Sequence, residues 1–252
     1  MLAVPSDGPA LTRPRRTHML ALLQVRDEAG RLPGWLANVV PHVDGVIALD
    51  DGSADGSADV LAARPEVLEV IRVPAERPEW DEVGNHRRLV EAGVRHGADW
   101  LLSLDADERL ERDFRARAER VIRRGRLLGL PAYALRLHDL WGSADRYRAD
   151  GVWGNRWVAR LFRARPGQEL DRRALHARKV PASPRWMRGR VPHADLRIYH
   201  LRMIRPEDRQ ARRERYERLD PNCRWQPEGY SYLTDETGLR LEPVPPDRGF
   251  VE

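Results

Sequence analysis

The sequence predicts an α/β fold, and three observations carry that prediction. Short apolar runs alternate with amphipathic stretches through the first half of the chain. Two of those runs end in clustered carboxylates. A length of 252 residues with 41% hydrophobic content is enough to bury a full core, here read as one large domain.

Taken in order, residues 1–16 carry Pro5, Pro14, glycine and charge without periodicity, the pattern of a mobile leader. Met19 to Val25 is apolar but for Gln24 and forms the first strand. It follows Arg13, Arg15 and Arg16 and so faintly resembles a signal peptide, but it is short and runs into Arg26-Asp27-Glu28 without a small-residue cleavage site. Leu32, Trp35, Leu36, Val39 and Val40 recur at helical spacing and predict an amphipathic helix packed on the sheet. A strand at 44–50, a short helix at 56–63, a strand at 67–73, a helix at 82–96 and a strand at 99–105 complete a β/α half whose strands are expected to run parallel. Phe114, Ala118, Val121 and Ile122 mark a further helix, and Tyr133 to His138 alternates like a strand. From 139 to 195 the chain is rich in Trp, Arg, Gly and Pro, and reads as loops and short strands around the apolar fragment Trp157 to Phe162. Asp195 to His200 is a late strand, and 206–219 is an Arg-rich helix stopped by Asp220-Pro221.

Composition narrows the function classes. The single Cys223 excludes an internal disulfide framework and a cysteine zinc site, so a reduced cytoplasm is the expected setting. A formal charge of +5 and a pI near 9.8 favour anionic partners. With 39 acidic residues dispersed among the basic ones and no nucleic-acid motif, sugar diphosphates or an anionic membrane face fit better than nucleic acid. No apolar stretch approaches the ~20 residues of a membrane helix. The absence of Gly-x-Gly-x-x-Gly, Gly-Lys-Ser/Thr and Gly-x-Ser-x-Gly turns argues against dinucleotide redox chemistry, phosphate-loop hydrolysis and serine hydrolysis. His18, His42 and His96 have no partner at metal-ligand spacing.

The two acidic motifs are the most informative features. Val46-Ile47-Ala48-Leu49 leads into Asp50-Asp51-Gly52-Ser53-Ala54-Asp55-Gly56-Ser57, and Trp100-Leu101-Leu102-Ser103-Leu104 leads into Asp105-Ala106-Asp107-Glu108. Ligands of open α/β sheets bind at the carboxyl ends of strands. Paired aspartates at such an edge suit a ribose, or a hard divalent cation that holds a diphosphate. For Asp50 and Asp55 turn formation is the competing role, since Asp-Gly and Asp-Gly-Ser favour tight turns.

In order and spacing, residues 19–124 resemble the nucleotide-binding half of family-2 glycosyltransferases of the GT-A fold. Val25-Arg26-Asp27-Glu28 is similar to the family's Asn-Glu ending of strand one, Leu49-Asp50-Asp51-Gly52-Ser53 to its Asp-Asp-Gly-Ser, and Asp105-Ala106-Asp107 to its Asp-x-Asp. The form Leu104-Asp105-Ala106-Asp107-Glu108 further resembles bacterial members that glycosylate cell-envelope or secondary-metabolite acceptors. The resemblance implies a Rossmann-like mixed central sheet with helices on both faces, a nucleotide-sugar half at 17–125 and an acceptor half at 126–252. It implies that Glu28 and Asp51 line the nucleoside pocket, that Asp105 approaches the ribose or sugar, and that Asp107 binds Mn²⁺ or Mg²⁺. In the second half the likeness is weaker. Arg160-Leu161-Phe162-Arg163, Leu175-His176 and Ile198-Tyr199-His200 are similar to an arginine-rich strand, a His-Glu pair and a late histidine, and His200 would complete the metal shell or be structural. Where relatives carry His-Glu, this chain has His176-Ala177.

An inverting transfer needs a base beside the acceptor nucleophile, and the candidates are Asp150 and His176. Trp141, Trp153 and Trp157 are either a stacking platform for the acceptor or core. Arg209, Arg212, Arg213 and Arg215 form either a solvated helix face or a phosphate or membrane contact. The expected function is a metal-dependent transfer of sugar from a nucleotide-diphosphate donor to a glycan, lipid-linked or small-molecule acceptor, with peripheral contact at the inner membrane face possible. The alternatives are a nucleotidyltransferase and a catalytically silent nucleotide-sugar or glycan-binding module.

Overall fold

A computed structural model describes residues 16–75, 81–170, 179–181 and 190–251. The first half alternates as expected: β1 (Met19–Val25), α1 (Leu32–Val39), β2 (Gly45–Asp50), α2 (Ser57–Ala62), β3 (Val67–Arg72), α3 (Glu82–Arg95) and β4 (Trp100–Leu104). A short β5 (Glu108–Leu110) and α4 (Phe114–Arg126) follow. Then come β6 (Ala132–Asp139), β7 (Arg146–Arg148), β8 (Trp157–Arg163), β9 (His193–His200), α5 (Pro206–Leu219) and β10 (Leu241–Pro243).

Eight strands form one mixed sheet in the order β3-β2-β1-β4-β8-β6-β9-β5. The first four are mutually parallel. β8 is antiparallel to both β4 and β6, so β6 regains the direction of β4, and β9 follows it in parallel. β1, β2, β4, β6 and β9 therefore deliver their carboxyl ends to the same edge. β7 and β10 pair separately as a two-stranded antiparallel ribbon.

Strand β1 is apolar at every position but Gln24 because both faces of the sheet are covered. Met19, Ala21, Leu23 and Val25 point into a core built with Leu32, Trp35, Leu36 and Val39 of α1, Leu61 of α2, and Phe114, Ala118 and Ile122 of α4. Leu20 and Leu22 point the other way, against Leu89, Val90 and Ala92 of α3. This is the Rossmann-like mixed sheet, with helices on both faces, that the resemblance implies. A third core gathers Trp141, Trp153, Met203, Tyr230 and Leu233 beside the sheet. Among the described residues no helix is long and apolar enough to cross a membrane.

Candidate active site

At the shared carboxyl edge lies a cavity of about 550 Å³. Its walls come from the segment after β1 (Arg26, Asp27, Glu28), the segment after β4 (Asp105, Ala106, Asp107), Lys179, the end of β9 and its sequel (His200, Arg202), and α5 (Arg212, Arg215, Tyr216, Arg218). The Arg-rich helix is thus one wall of the cavity. Its few apolar side chains explain why periodicity alone does not place it.

Ion pairs organise the acidic motif. Trp35 of α1 donates its indole N–H to the Asp105 carbonyl at 3.0 Å, and the Asp105 N–H donates to Glu108 at 3.0 Å. Arg160 of β8 reaches across the sheet to Asp105 at 2.8 Å and Glu108 at 2.5 Å, and Lys179 pairs with the other Asp105 oxygen. Burial alone would raise Asp105, but Lys179 and Arg160 hold its carboxyl below the usual carboxylate range. Glu108 is more deeply enclosed, and burial pushes it up despite Arg160. Two carboxyls three residues apart thus lie in opposed electrostatic states.

Asp107 and His200 meet at the cavity floor, with His200 Nε2 3.4 Å from Asp107 Oδ2. Both residues are only 5% exposed. Arg202 donates Nε–H to the same Asp107 oxygen at 2.5 Å and also pairs with Glu28, which in turn accepts from Arg31 at 2.7 Å. His200 Nδ1 lies 2.7 Å from the buried Asp139 carboxylate, and Arg212 Nη1 lies 3.3 Å from Nε2. Burial by itself would lower the imidazole, but the Asp107 and Asp139 carboxylates push it up to about 9. Burial would likewise raise Asp107, and His200 and Arg202 hold it well below its ordinary value.

The Asp50–Ser57 loop is clasped to the segment after β1. The Asp27 N–H donates to Ser53 at 3.0 Å, the Ala54 N–H to Asp27 at 2.8 Å, the Glu28 N–H to Ser57 at 2.9 Å and the Ala29 N–H to Asp55 at 2.8 Å. Asp50 accepts from the Ser53 N–H at 3.0 Å. Asp50 and Asp55 are turn-forming residues here. Asp51 differs: its N–H donates to Val25, a cavity-wall residue, at 2.9 Å, but its side chain is not part of that wall. Its carboxylate makes no hydrogen bond among the described residues and the residue is 6% exposed.

The structure therefore brings Glu28, Asp105, Asp107 and His200 to one cavity and sets Asp51 one strand away. Asp150 lies elsewhere. Arg148 grips both of its oxygens at 2.9–3.0 Å, and the Arg240 N–H adds a bond at 2.9 Å. The Arg148 hydrogen bonds lower the Asp150 carboxyl, which here ties β7 to the chain just before β10 and lies outside the cavity. His176 falls outside the described residues. Trp141 and Trp153 are 2% and 3% exposed and stack with Arg148 and Arg209, so they are core and not an acceptor platform. Trp157 stacks on His193 with ring centroids 4.0 Å apart.

Lys179, Arg202, Arg212 and Asp139 are site residues that no sequence motif marks individually. Lys179 carries a signal as the only lysine in the chain, and Arg202 as the second residue after a strand-end histidine.

Among the described residues no three His, Cys, Asp or Glu side chains converge at metal-ligand distances. The pair Asp107 and His200 nevertheless suits a small divalent cation, which characteristically takes one or two protein donors and completes its shell with phosphate oxygens and water. His200 offers Nε2 toward Asp107 while Nδ1 is engaged by Asp139, the arrangement common among metal-binding histidines.

No protein-family model matches the chain. It is similar to Uncharacterized protein Rv3786c of Mycobacterium tuberculosis and Uncharacterized protein Mb3815c of Mycobacterium bovis, 24% identical to each over 219 residues, which are 82% of this chain and 52% of the relative. The chain spans about half the length of these curated relatives. Among solved structures it is similar to residues 1–349 of S. aureus TarS, at 11% identity over 87% of this chain and 70% of that one, with a TM-score of 0.48. It is also similar to mannosyltransferase PcManGT from Pyrobaculum calidifontis, solved with GDP-Man and Mn²⁺, at 12% identity over 87% of this chain and 70% of that one, with a TM-score of 0.48.

Proposed function

We propose that the cavity binds a nucleotide-diphosphate sugar through a divalent cation and transfers the sugar, with inversion, to a glycan, lipid-linked or small-molecule acceptor. The observation that carries this reading is the Asp107–His200 pair, 3.4 Å apart at the strand edge, set among the cationic side chains of Lys179, Arg202 and Arg212. A carboxylate and an imidazole suit Mn²⁺ or Mg²⁺, and the surrounding cations suit phosphate oxygens. The metal, when bound, offsets charge developing on the leaving diphosphate.

The chain's own groups divide the remaining work. Arg202 and Lys179, now paired with Asp107 and Asp105, are placed to exchange those carboxylates for phosphate oxygens. Asp105 faces the cavity with 42% of its side chain exposed, where it can accept from ribose or sugar hydroxyls. Asp51, nearly buried and without a hydrogen-bond partner among the described residues, suits an N–H of the base. Glu28 holds Arg202 and Arg31 at the nucleoside end. For the base that inversion needs, Asp150 is spent on Arg148, and His176 is the residue to test. We place the protein in the cytoplasm or at the inner membrane face.

The test is a thermal-shift panel of UDP-, GDP- and dTDP-sugars with and without Mn²⁺. A ligand that binds only the native state stabilises it with the logarithm of its saturation, so one donor class should raise the melting temperature, and only with Mn²⁺ present. Stabilisation by none of them contradicts the proposal. Binding without sugar turnover on any acceptor marks a silent binding module instead.

A further inference from the structure

His200 owes its position to backbone pairing on two sides. It pairs with Asp139 of β6 and Glu108 of β5, the Leu140 N–H donates to the His200 carbonyl at 3.0 Å, and the Leu201 N–H donates to the Asp107 carbonyl at 2.8 Å. These bonds fix the backbone but leave the ring free to turn about its side-chain torsions. Arg212 and Asp107 meet the ring at Nε2, 3.3 and 3.4 Å away, and Asp139 holds it at Nδ1. Asp139 Oδ1 lies 2.7 Å from Nδ1, while its Oδ2 accepts from Arg156 at 2.5 Å. Asp139 has no exposed surface and does not line the cavity, so it has no access to a substrate.

We infer that Asp139 is a positioning residue for the proposed cation site, keeping the proton of His200 on Nδ1 so that Nε2, which gives up its own proton when a cation binds, is aimed beside Asp107. The inference rests on the metal reading given above. A carboxylate on Nδ1 does two things for a histidine ligand: it selects the tautomer that leaves Nε2 free, and it makes that nitrogen a stronger donor. Arg156 is the anchor. It engages the Asp139 oxygen that faces away from His200, keeping the buried carboxylate charged and oriented. Through Arg156, which also lies over Trp153 at 5.2 Å, the ring orientation is tied to the Trp/Arg-rich segment after β6. That segment then contributes to cation binding without touching the cation.

The experiment measures Mn²⁺ affinity by electron paramagnetic resonance of the free ion, in the presence of whichever of UDP, GDP and dTDP stabilises the parental protein. Parental protein, Asp139→Asn, Arg156→Gln and Asp107→Asn are compared, and nucleotide affinity in chelator is measured beside each. Asp139→Asn is isosteric but can turn an amide N–H toward Nδ1 and so favour the wrong tautomer. It should weaken Mn²⁺ binding about 10–100-fold, the range for loss of a ligand's hydrogen-bonded carboxylate, with chelator-state nucleotide affinity unchanged. A merely structural role would instead lower both affinities together. Arg156→Gln keeps carboxylate and imidazole and should weaken Mn²⁺ in the same sense by less, which keeps the inference testable if Asp139→Asn fails to fold. Parental Mn²⁺ affinity in these variants, with Asp107→Asn impaired, overturns the role of Asp139 and leaves the metal reading standing. No Mn²⁺ binding by the parental protein overturns both.

Discussion

Trp35 joins the core to the site: its indole is fully buried under the sheet, and its Nε1–H satisfies the carbonyl of Asp105 at 3.0 Å. Trp35→Phe keeps much of the packing but leaves that carbonyl to the Glu108 N–H alone, which also donates to it at 3.0 Å. The expected cost of the lost bond is about 0.5–1.5 kcal/mol, read as a lower denaturant midpoint at unchanged slope. His138 makes a second residue-scale prediction. It lies against Tyr147 and Tyr199, its Nε2 has no hydrogen-bond partner among the described residues, and burial pulls its pKa down to about 3. The unfolded chain takes up this proton near pH 6.5 and the folded chain only near 3, so the unfolded state binds more protons in between and stability falls as pH drops through that window. Each pH unit is worth about 1.4 kcal/mol per such histidine. His138→Phe preserves the ring contacts and removes the group, so stability should fall less steeply between pH 6 and 4 than in the parental protein, as measured by urea denaturation across pH.

At the scale of elements, the loop after β2 is held by backbone geometry as much as by its hydrogen bonds. Gly52 has φ +75°, and a Cβ there would sit 2.6 Å from Ala75 Cα. Gly52→Ala should destabilise the protein by about 1–3 kcal/mol and weaken nucleotide binding through displacement of Asp51, measurable by melting and by titration on the same sample. An effect on neither places this loop outside the site. The long elements were legible in the sequence for a physical reason: β1, β2, β4 and the helices α1, α3 and α4 bury continuous or periodic apolar surface, which leaves a pattern. β5, β7 and β10 have three residues each, too few to show a period, and exist because partners pair with them. β5, for example, is fastened by Asn38 of α1, whose amide bonds both the N–H and the carbonyl of Leu110 at 2.7 and 3.1 Å. Helix α5 was legible from Pro206 and the Asp220-Pro221 stop, but its place against the cavity was not, because arginines make its contacts.

Over the whole molecule, the site is a product of strand direction. Reversal at β8 lets β6 and β9 end beside β1, β2 and β4, which sets His200 against Asp107 although 93 positions separate them in sequence. Glu28, Asp105, Asp107 and His200 are legible in the amino-acid sequence because each follows or ends an apolar strand run. The cations opposing them are not, because Lys179, Arg202 and Arg212 become partners only through that topology. In the function proposed above, a divalent cation at Asp107 and His200 joins this cavity to a nucleoside diphosphate. The most direct test is calorimetric titration of the stabilising nucleoside diphosphate into the parental protein with Mn²⁺, into the same protein with chelator, and into Asp107→Asn with Mn²⁺. Affinity is expected to fall by about ten-fold or more on chelation, the scale of metal-site changes, and the folded variant is expected to bind equally with and without Mn²⁺. Equal affinity of the parental protein with Mn²⁺ and with chelator, or full Mn²⁺ enhancement in Asp107→Asn, would contradict the proposed function.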